Sequence, residues 1–363
     1  MSCDKFRAKF ESFFEFSMMA DLQILMADRV ARGLCRERVF RDRQNPLDRF
    51  NEDEMYERYR FSRRGVMQLL DILAPRLDRE TSRSHAIDGR MQVFTALRFY
   101  ASGTVHHNHG DHHGISKASA SRIVRRVNRV LGRMKDEVIK FPTTPAEVAA
   151  SQADFYAVSG MPRVVSAVDC THVLLRGARY GDDAYVYVNR KRQKSINVQL
   201  MCTTKYKITN VVARWPGSTH DSRILTHSNI AAEFETGRKE GVLVGDSGYP
   251  LKPWLITPIP NPQTPAEYAY NRAHPKTRVF IEQVNGQLKA KFPCLAVGLR
   301  VEPKHACRTI VACAVLFNMA KEMGEPHDYF VQPPPDPADI NDYQGQPGAV
   351  AIAVRDQIVQ EFF

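Results

Sequence analysis

The sequence predicts an α/β protein in which a mixed sheet flanked by helices follows an all-α region. Two patterns carry that expectation. Apolar residues recur every three or four positions up to about residue 140, and from Val164 onward they gather into short β-branched runs. Size adds a third observation, because 363 residues exceed what a single hydrophobic core usually serves.

The organisation expected from these patterns is an N-terminal helical segment over 1–55, a helix-turn-helix domain over 56–145, a sheet-and-helix domain over 160–325, and a Pro-rich linker with a C-terminal helix over 326–363. Within the third unit VVSAVDCTHVLL, SINVQLMCTT, ITNVVARW and GVLVGD read as four strands, each bounded by Gly, Pro, Ser or charged residues. A helix is expected near GSTHDSRIL, with Ser218 or Asp221 as its cap. A Pro-rich excursion, PWLITPIPNPQTP, follows GVLVGD. Two helices, RVFIEQVNGQLK and HACRTIVACAVLFNMAKEM, close the unit. QPPPDPADINDYQGQPG reads as the linker and AVAIAVRDQIVQEFF as a last short helix.

The 51 Lys and Arg against 40 Asp and Glu give a net charge of +11, which favours polyanionic partners over acidic proteins or neutral metabolites. Seven cysteines, an odd number mostly set in apolar runs without paired metal spacing, fit a reducing compartment. The opening MSCDKFRAKFESFFEF is charged and aromatic, so no secretory leader is expected. The longest apolar run, near Phe16 to Met26, is broken by Asp21, so no membrane span is expected.

Basic residues concentrate in GDHHGISKASASRIVRRVNRVLGRM, where a Gly-containing turn separates a short helix from a longer one. On the longer helix Arg122, Arg125, Arg126, Arg129 and Arg133 share one face, while Ile123, Val124, Val127, Val130 and Leu131 share the opposite one. From Lys117 to Lys140 eight basic residues stand against two acidic ones. Such a stripe suits phosphates, and the helix start, with Ser116, Lys117, Ser119 and Ser121, is where base edges would be read. The plainer reading is an exposed basic helix packed on its neighbours. His106, His107, His109, His112 and His113 precede it, a cluster that reads better as solvated surface than as a zinc site because no Cys lies nearby. A second basic run, with Arg190, Lys191 and Arg192, is open to three readings: a phosphate-contacting edge, a nuclear localisation patch or a loop.

The acidic residues carry the chemistry. At about 100° per residue, a helix through RVFIEQVNGQLK places Glu282 roughly 40° and Lys289 roughly 20° from Arg278, with Asn285 on the same face. Asp169 interrupts an apolar strand, where an unpaired charge costs several kcal/mol, so it needs a cation. Asp246 ends another strand. Oxygen ligands of this kind suit Mg²⁺ or Mn²⁺, and two such ions serve phosphodiester cleavage by activating the attacking oxygen and stabilising the leaving one. Each acid also has a structural reading: Asp169 paired to Arg or His172, Asp246 as a turn residue, Glu282 in an i,i+4 ion pair.

With these residues in view, the chain resembles the PIF/Harbinger-type DDE transposases and the vertebrate nucleases domesticated from them. The matching pieces are GISKASASRIV, VVSAVDCTHV, YVNRKRQKSINVQ, WPGSTHDSRIL, LVGDSGYPLKPWLITP and TPAEYAYNRAHPKTRVFIEQVNGQLKAKFPCL, which together span most of residues 60 to 325. The resemblance implies an RNase H-like catalytic domain with Asp169, Asp246 and Glu282 as catalytic, metal-holding acids. Asp221 matches a further acid of the family pattern, as a metal ligand or a helix cap. The R-x3-E-x6-K arrangement falls on Arg278, Glu282 and Lys289, whose two cations would steady DNA phosphates. Thr203 stands where the family often has Asp, and Phe317 and Asn318 stand in a segment that often carries His. Neither departure replaces a triad acid.

The expected activity is metal-dependent hydrolysis of phosphodiester bonds at transposon ends, followed by joining of the 3′-hydroxyl to target DNA. Expected partners are terminal-repeat and target DNA, a Myb-like accessory protein and further copies of the chain. The expected location is the nucleus, with some cytoplasm. The aromatic segment with Phe6, Phe10, Phe13, Phe14 and Phe16 is a candidate partner or self-association surface, with packing on its own domain as the other reading. Two rival classes remain, a domesticated DNA-binding regulator with relic acids and a nuclease without transposition activity.

Overall fold

Five strands form one mixed sheet in the order β3-β2-β1-β4-β5: β1 is Val164–Leu174, β2 Ser195–Cys202, β3 Ile208–Pro216, β4 Val242–Val244 and β5 Leu255–Ile256. The first three pair antiparallel, while β4 lies parallel to β1 and β5 parallel to β4. This is a computed structural model, and it describes residues 45–78, 86–102, 115–177, 180–326, 343 and 345–363, with Gln23 and Met26. All but those two isolated residues belong to one compact unit, 43–363. The aromatic segment Phe6–Phe16, the histidines 106–113, the turn GDHHG and most of the Pro-rich linker lie outside the described residues.

The four runs read as strands are strands. A fifth, β5, hides in the Pro-rich excursion and is only two residues long, so it has no periodicity to read. Pairing with β4 gives its backbone groups their partners.

Before the sheet come α1 (Pro46–Arg49), α2 (Glu52–Tyr59), α3 (Arg63–Leu73), α4 (Gly89–Ser102), α5 (Lys117–Arg133), α6 (Lys135–Val138) and α7 (Pro145–Ser159). Asn51 with Glu54 and Thr144 with Glu147 close capping boxes at the starts of α2 and α7. Along α5, Ile123, Val124, Val127, Val130 and Leu131 are buried, while Arg122, Arg125, Arg129 and Arg133 are exposed. That is the division its periodicity predicts.

After β3 come α8 (Asp221–Thr226) and α9 (Asn229–Glu235), and after β5 come α10 (Pro265–Lys291), α11 (Pro293–Val297), α12 (Pro303–Glu322) and α13 (Ala349–Phe362). Neither Ser218 nor Asp221 caps α8. His220 occupies the cap without a side-chain bond, and the Asp221 carboxylate is drawn to the sheet by Asn197. Helix α10 starts well before Arg278, because Pro265 at its first turn and the Thr264–Glu267 capping box begin it and the chain stays helical through Pro275.

The helical front and the sheet share one core. Tyr59, Leu69, Phe94 and Val127 belong to the same buried cluster as Ile196, Leu288 and Phe317. Two polar contacts fix the seam. Tyr100 of α4 donates to Asn128 of α5 at 2.6 Å, and Asn128 donates to Thr309 of α12 at 2.9 Å, all three being buried. Glu325, just past α12, accepts from the backbone and hydroxyl of Ser62 at 2.8 and 2.6 Å, holding the start of α3. Replacing Asn128 by Ala strands the Tyr100 hydroxyl, so Asn128→Ala is expected to lower stability in urea unfolding by about 1–3 kcal/mol. A loss below about 0.5 kcal/mol, the range of ordinary surface changes, would show that the network does not hold the seam.

Candidate active site

Strand register decides where the first two acids meet. Ala167 of β1 lies opposite Val244 of β4 in the parallel pair, and two residues further along each chain stand Asp169 and Asp246. Both point into the region covered by α10. Alternation along β1 puts Asp169 and Thr171 on that face and Cys170 and His172 on the other, where Cys170 meets Tyr249 and His172 meets Ser195. His172 is therefore not the partner of Asp169.

Helix α10 supplies the rest. Arg278 Nη2 lies 2.7 Å from Glu282 Oε1 and 4.0 Å from Asp169 Oδ1. Asn285 Nδ2 donates to Asp169 Oδ2 at 2.9 Å, and Lys289 Nζ donates to the Thr171 hydroxyl at 2.6 Å. The Gly248 amide donates to Asp246 Oδ1 at 3.0 Å. Asp221 joins from the N-terminal residue of α8, held by Asn197 Nδ2 at 2.7 Å. The structure thus brings Asp169, Asp221, Asp246, Glu282 and Arg278 into one electrostatic cluster.

The cluster is short of positive charge. Burial pushes the Asp169 carboxyl up to about 8, Arg278 works against that rise, and Asp246, Asp221 and Glu282 reinforce it. Asp246 is raised by the same burial, again opposed by Arg278. Burial disfavours the Arg278 charge, but Asp169, Asp246 and Glu282 outweigh it and the group is raised overall. One turn earlier, buried His274 is depressed to about 3 by desolvation and by Arg278, partly offset by the nearby backbone of Ile256 and Gly245.

Among the described residues no three Asp, Glu, His or Cys side chains already form a cage for one ion. Glu282 is turned onto Arg278 instead. The donor set nevertheless fits a hard divalent cation: the acids offer only oxygens, their ionised forms repel, and one guanidinium is the nearby compensation. Arg278 Nε and Asn285 Oδ1 are buried beside them without hydrogen-bond partners.

The other residues singled out from the sequence stand on separate elements. Ser116 caps α5 by accepting from the Ser119 amide, and Arg122 bonds back to the Ala118 carbonyl. Lys117, Arg125 and Arg129 are exposed, while Ser119, Ser121 and Arg126 are partly buried, Arg126 reaching the Asp78 carbonyl at 3.5 Å. Arg190, Lys191 and Arg192 are exposed in a tight turn leading into β2, closed by the Arg192 amide on the Asn189 carbonyl. Three residues escaped the sequence reading: Asn197, His274 and Tyr249. Asn197 interrupts an apolar strand as Asp169 does, and His274 lies one turn before Arg278, so both signals were present.

Residues 168–318 match the family described as DDE superfamily endonuclease. The rat protein named "Putative nuclease HARBI1" is 39% identical over 287 residues, covering 77% of this chain and 82% of that protein. The chain belongs to the Harbinger-derived HARBI1 family of DDE endonucleases. The human HARBI1 protein is 38% identical over 287 residues, with the same two shares covered. An Arabidopsis thaliana protein named ALP1-like is 24% identical over 248 residues, 64% of this chain and 60% of that protein. No solved structure matches. Membership of the HARBI1 family supports nuclease activity and DNA as the substrate class, and among the described residues no helix is long and apolar enough to cross a membrane.

The raised Asp169 carboxyl makes stability depend on pH. The unfolded carboxyl ionises near pH 4 and the folded one near 8, so across that window the folded state holds the extra proton and stability falls as pH rises. Without divalent metal, Asp169→Asn is expected to be more stable than the parent above pH 8 by on the order of 2–5 kcal/mol, converging with it near pH 4. Parallel unfolding curves for the two proteins across this range would contradict the charge deficit.

Proposed function

We propose that the chain is a divalent-metal-dependent DNA endonuclease of RNase H-like fold, with Asp169, Asp246 and Glu282 as its catalytic acids and Asp221 as a further ligand. The observation that carries this is the approach of the largely buried Asp169 of β1 and Asp246 just past β4 to the half-exposed Glu282 of α10, mutually repelling carboxylates on a sheet ordered β3-β2-β1-β4-β5. Mg²⁺ or Mn²⁺, as two ions, would be held by these oxygens, supplying Lewis acidity to a scissile phosphate and a stronger oxygen nucleophile. Arg278 and Lys289, at the same helix face, would bind the flanking phosphates, Arg278 exchanging Glu282 for DNA. Asn197 holds Asp221 at the edge of the cluster.

In this reading α5 is the longer helix of a helix-turn-helix, with Ser116, Lys117, Ser119 and Ser121 at the reading end and Arg122, Arg125, Arg126 and Arg129 on the DNA backbone. The buried and exposed faces of α5 support that role. Arg190, Lys191 and Arg192 add a second phosphate contact. The proposed reaction cuts at transposon ends and transfers the 3′-hydroxyl to target DNA, in the nucleus with some cytoplasm. A Myb-like protein and a second copy of the chain are its proposed partners. The same purified chain tests the whole reading. With Mg²⁺ it should nick DNA carrying the correct terminal repeats, and Asp169→Asn or Glu282→Gln should lose cutting and keep binding. Robust cutting by either variant would sink the acid assignment, whereas binding without cutting by the parent would make the chain a DNA-binding regulator. Arg125→Ala should weaken binding on every sequence alike and reduce the slope of log affinity against log salt by about 1. An unchanged slope would remove α5 from the phosphate contacts.

A further inference from the structure

Asn285 is a polar side chain at the acid cluster that neither the family pattern nor the charge count uses. It lies on α10, three residues after Glu282 and four before Lys289, and is only 8% exposed. Its Nδ2 donates to Asp169 Oδ2 at 2.9 Å, while its Oδ1 is buried without a partner. A buried amide with one half unmet costs free energy that a leucine of similar volume would not. Such a residue needs an explanation beyond packing.

An ionised Asp169, the form that would hold a cation, only accepts hydrogen bonds, so it calls for the amide nitrogen on its side and the carbonyl oxygen turned away, which is the arrangement the structure has. Asp169 itself ends a chain of positioning contacts. One oxygen is held by Asn285 and the other stands 4.0 Å from the Arg278 guanidinium. If Arg278 leaves for a phosphate, Asn285 is the contact that keeps the carboxylate aimed.

We infer that Asn285 is a positioning residue for the cleavage site: its amide N–H holds the Asp169 carboxylate in the orientation that takes a divalent cation. The inference rests on the proposed metal-dependent function. Removing a hydrogen-bond partner of a ligating carboxylate typically costs 10- to 100-fold in metal affinity.

The test is Mn²⁺ binding to the full chain without DNA, followed by electron paramagnetic resonance or calorimetry, with thermal unfolding of the metal-free protein alongside. Asn285→Leu should bind Mn²⁺ about 10- to 100-fold more weakly while melting at the same temperature or higher. On terminal-repeat DNA its kcat should fall with KM little changed. Mn²⁺ binding equal to the parent's would overturn the inference and leave Asn285 as packing. Should Asn285→Leu fail to fold, Asn285→Ser is measured in the same way and read by the same two outcomes. Asp169→Asn separates the inference from the reading beneath it. If that variant loses Mn²⁺ and Asn285→Leu keeps it, the inference alone falls. If Asp169→Asn binds Mn²⁺ as the parent does, the metal assignment falls and the inference falls with it.

Discussion

The guanidinium of Arg278 among buried carboxylates is the contact on which the rest of the arrangement depends. Asp169 and Asp246 come from adjacent parallel strands, and their shared burial would drive them apart or keep them protonated without a cation between them and Glu282. Arg278 supplies one charge to three acids, an incomplete balance that leaves Asp169 raised. A purely structural ion pair would be expected to balance its charges. The divalent cation proposed for the site would supply the missing charge.

Helix α10 is what makes that contact possible. At about 1.5 Å per residue its 27 residues span roughly 40 Å, enough to cross the sheet and reach the helical front. Neutral His274 is buried beside the ends of β4 and β5, Arg278 and Glu282 face the acids, Asn285 and Lys289 hold β1, and Lys291 donates to the Arg60 carbonyl at 2.8 Å. The face proposed as catalytic is thus flanked at both ends by contacts that have no chemistry of their own. Asn128 and Glu325 perform the corresponding service between the front helices and α12.

Much of the fold was legible. Runs of Val and Ile such as VVSAVDCTHVLL declare strands, and the arginine stripe of α5 stands opposite the residues that its periodicity buries. Asp169 was legible for the same reason that it is costly, a charge inside an apolar strand. What escaped depended on partners outside the local window. Strand β5 is two residues long and exists through its pairing with β4, the cap of α8 passed to His220 because Asn197 claims Asp221, and Pro275 masked the upstream half of α10. Helical periodicity sets Asn285 on the face of Arg278, but a neutral amide shows no need for a partner until its neighbour is known.

The sequence by itself determined which residues carry charge, which faces of α5 and α10 are apolar, and which family the chain resembles, because periodicity and residue type are local properties. Only the tertiary structure decided that Asp169 lies beside Asp246, that Arg278 holds Glu282, and that Asn285 rather than His172 binds Asp169. Those pairings follow from strand register and from the placement of one long helix across the sheet. Both are set by which surfaces bury together, and neither leaves a mark in any short stretch of sequence.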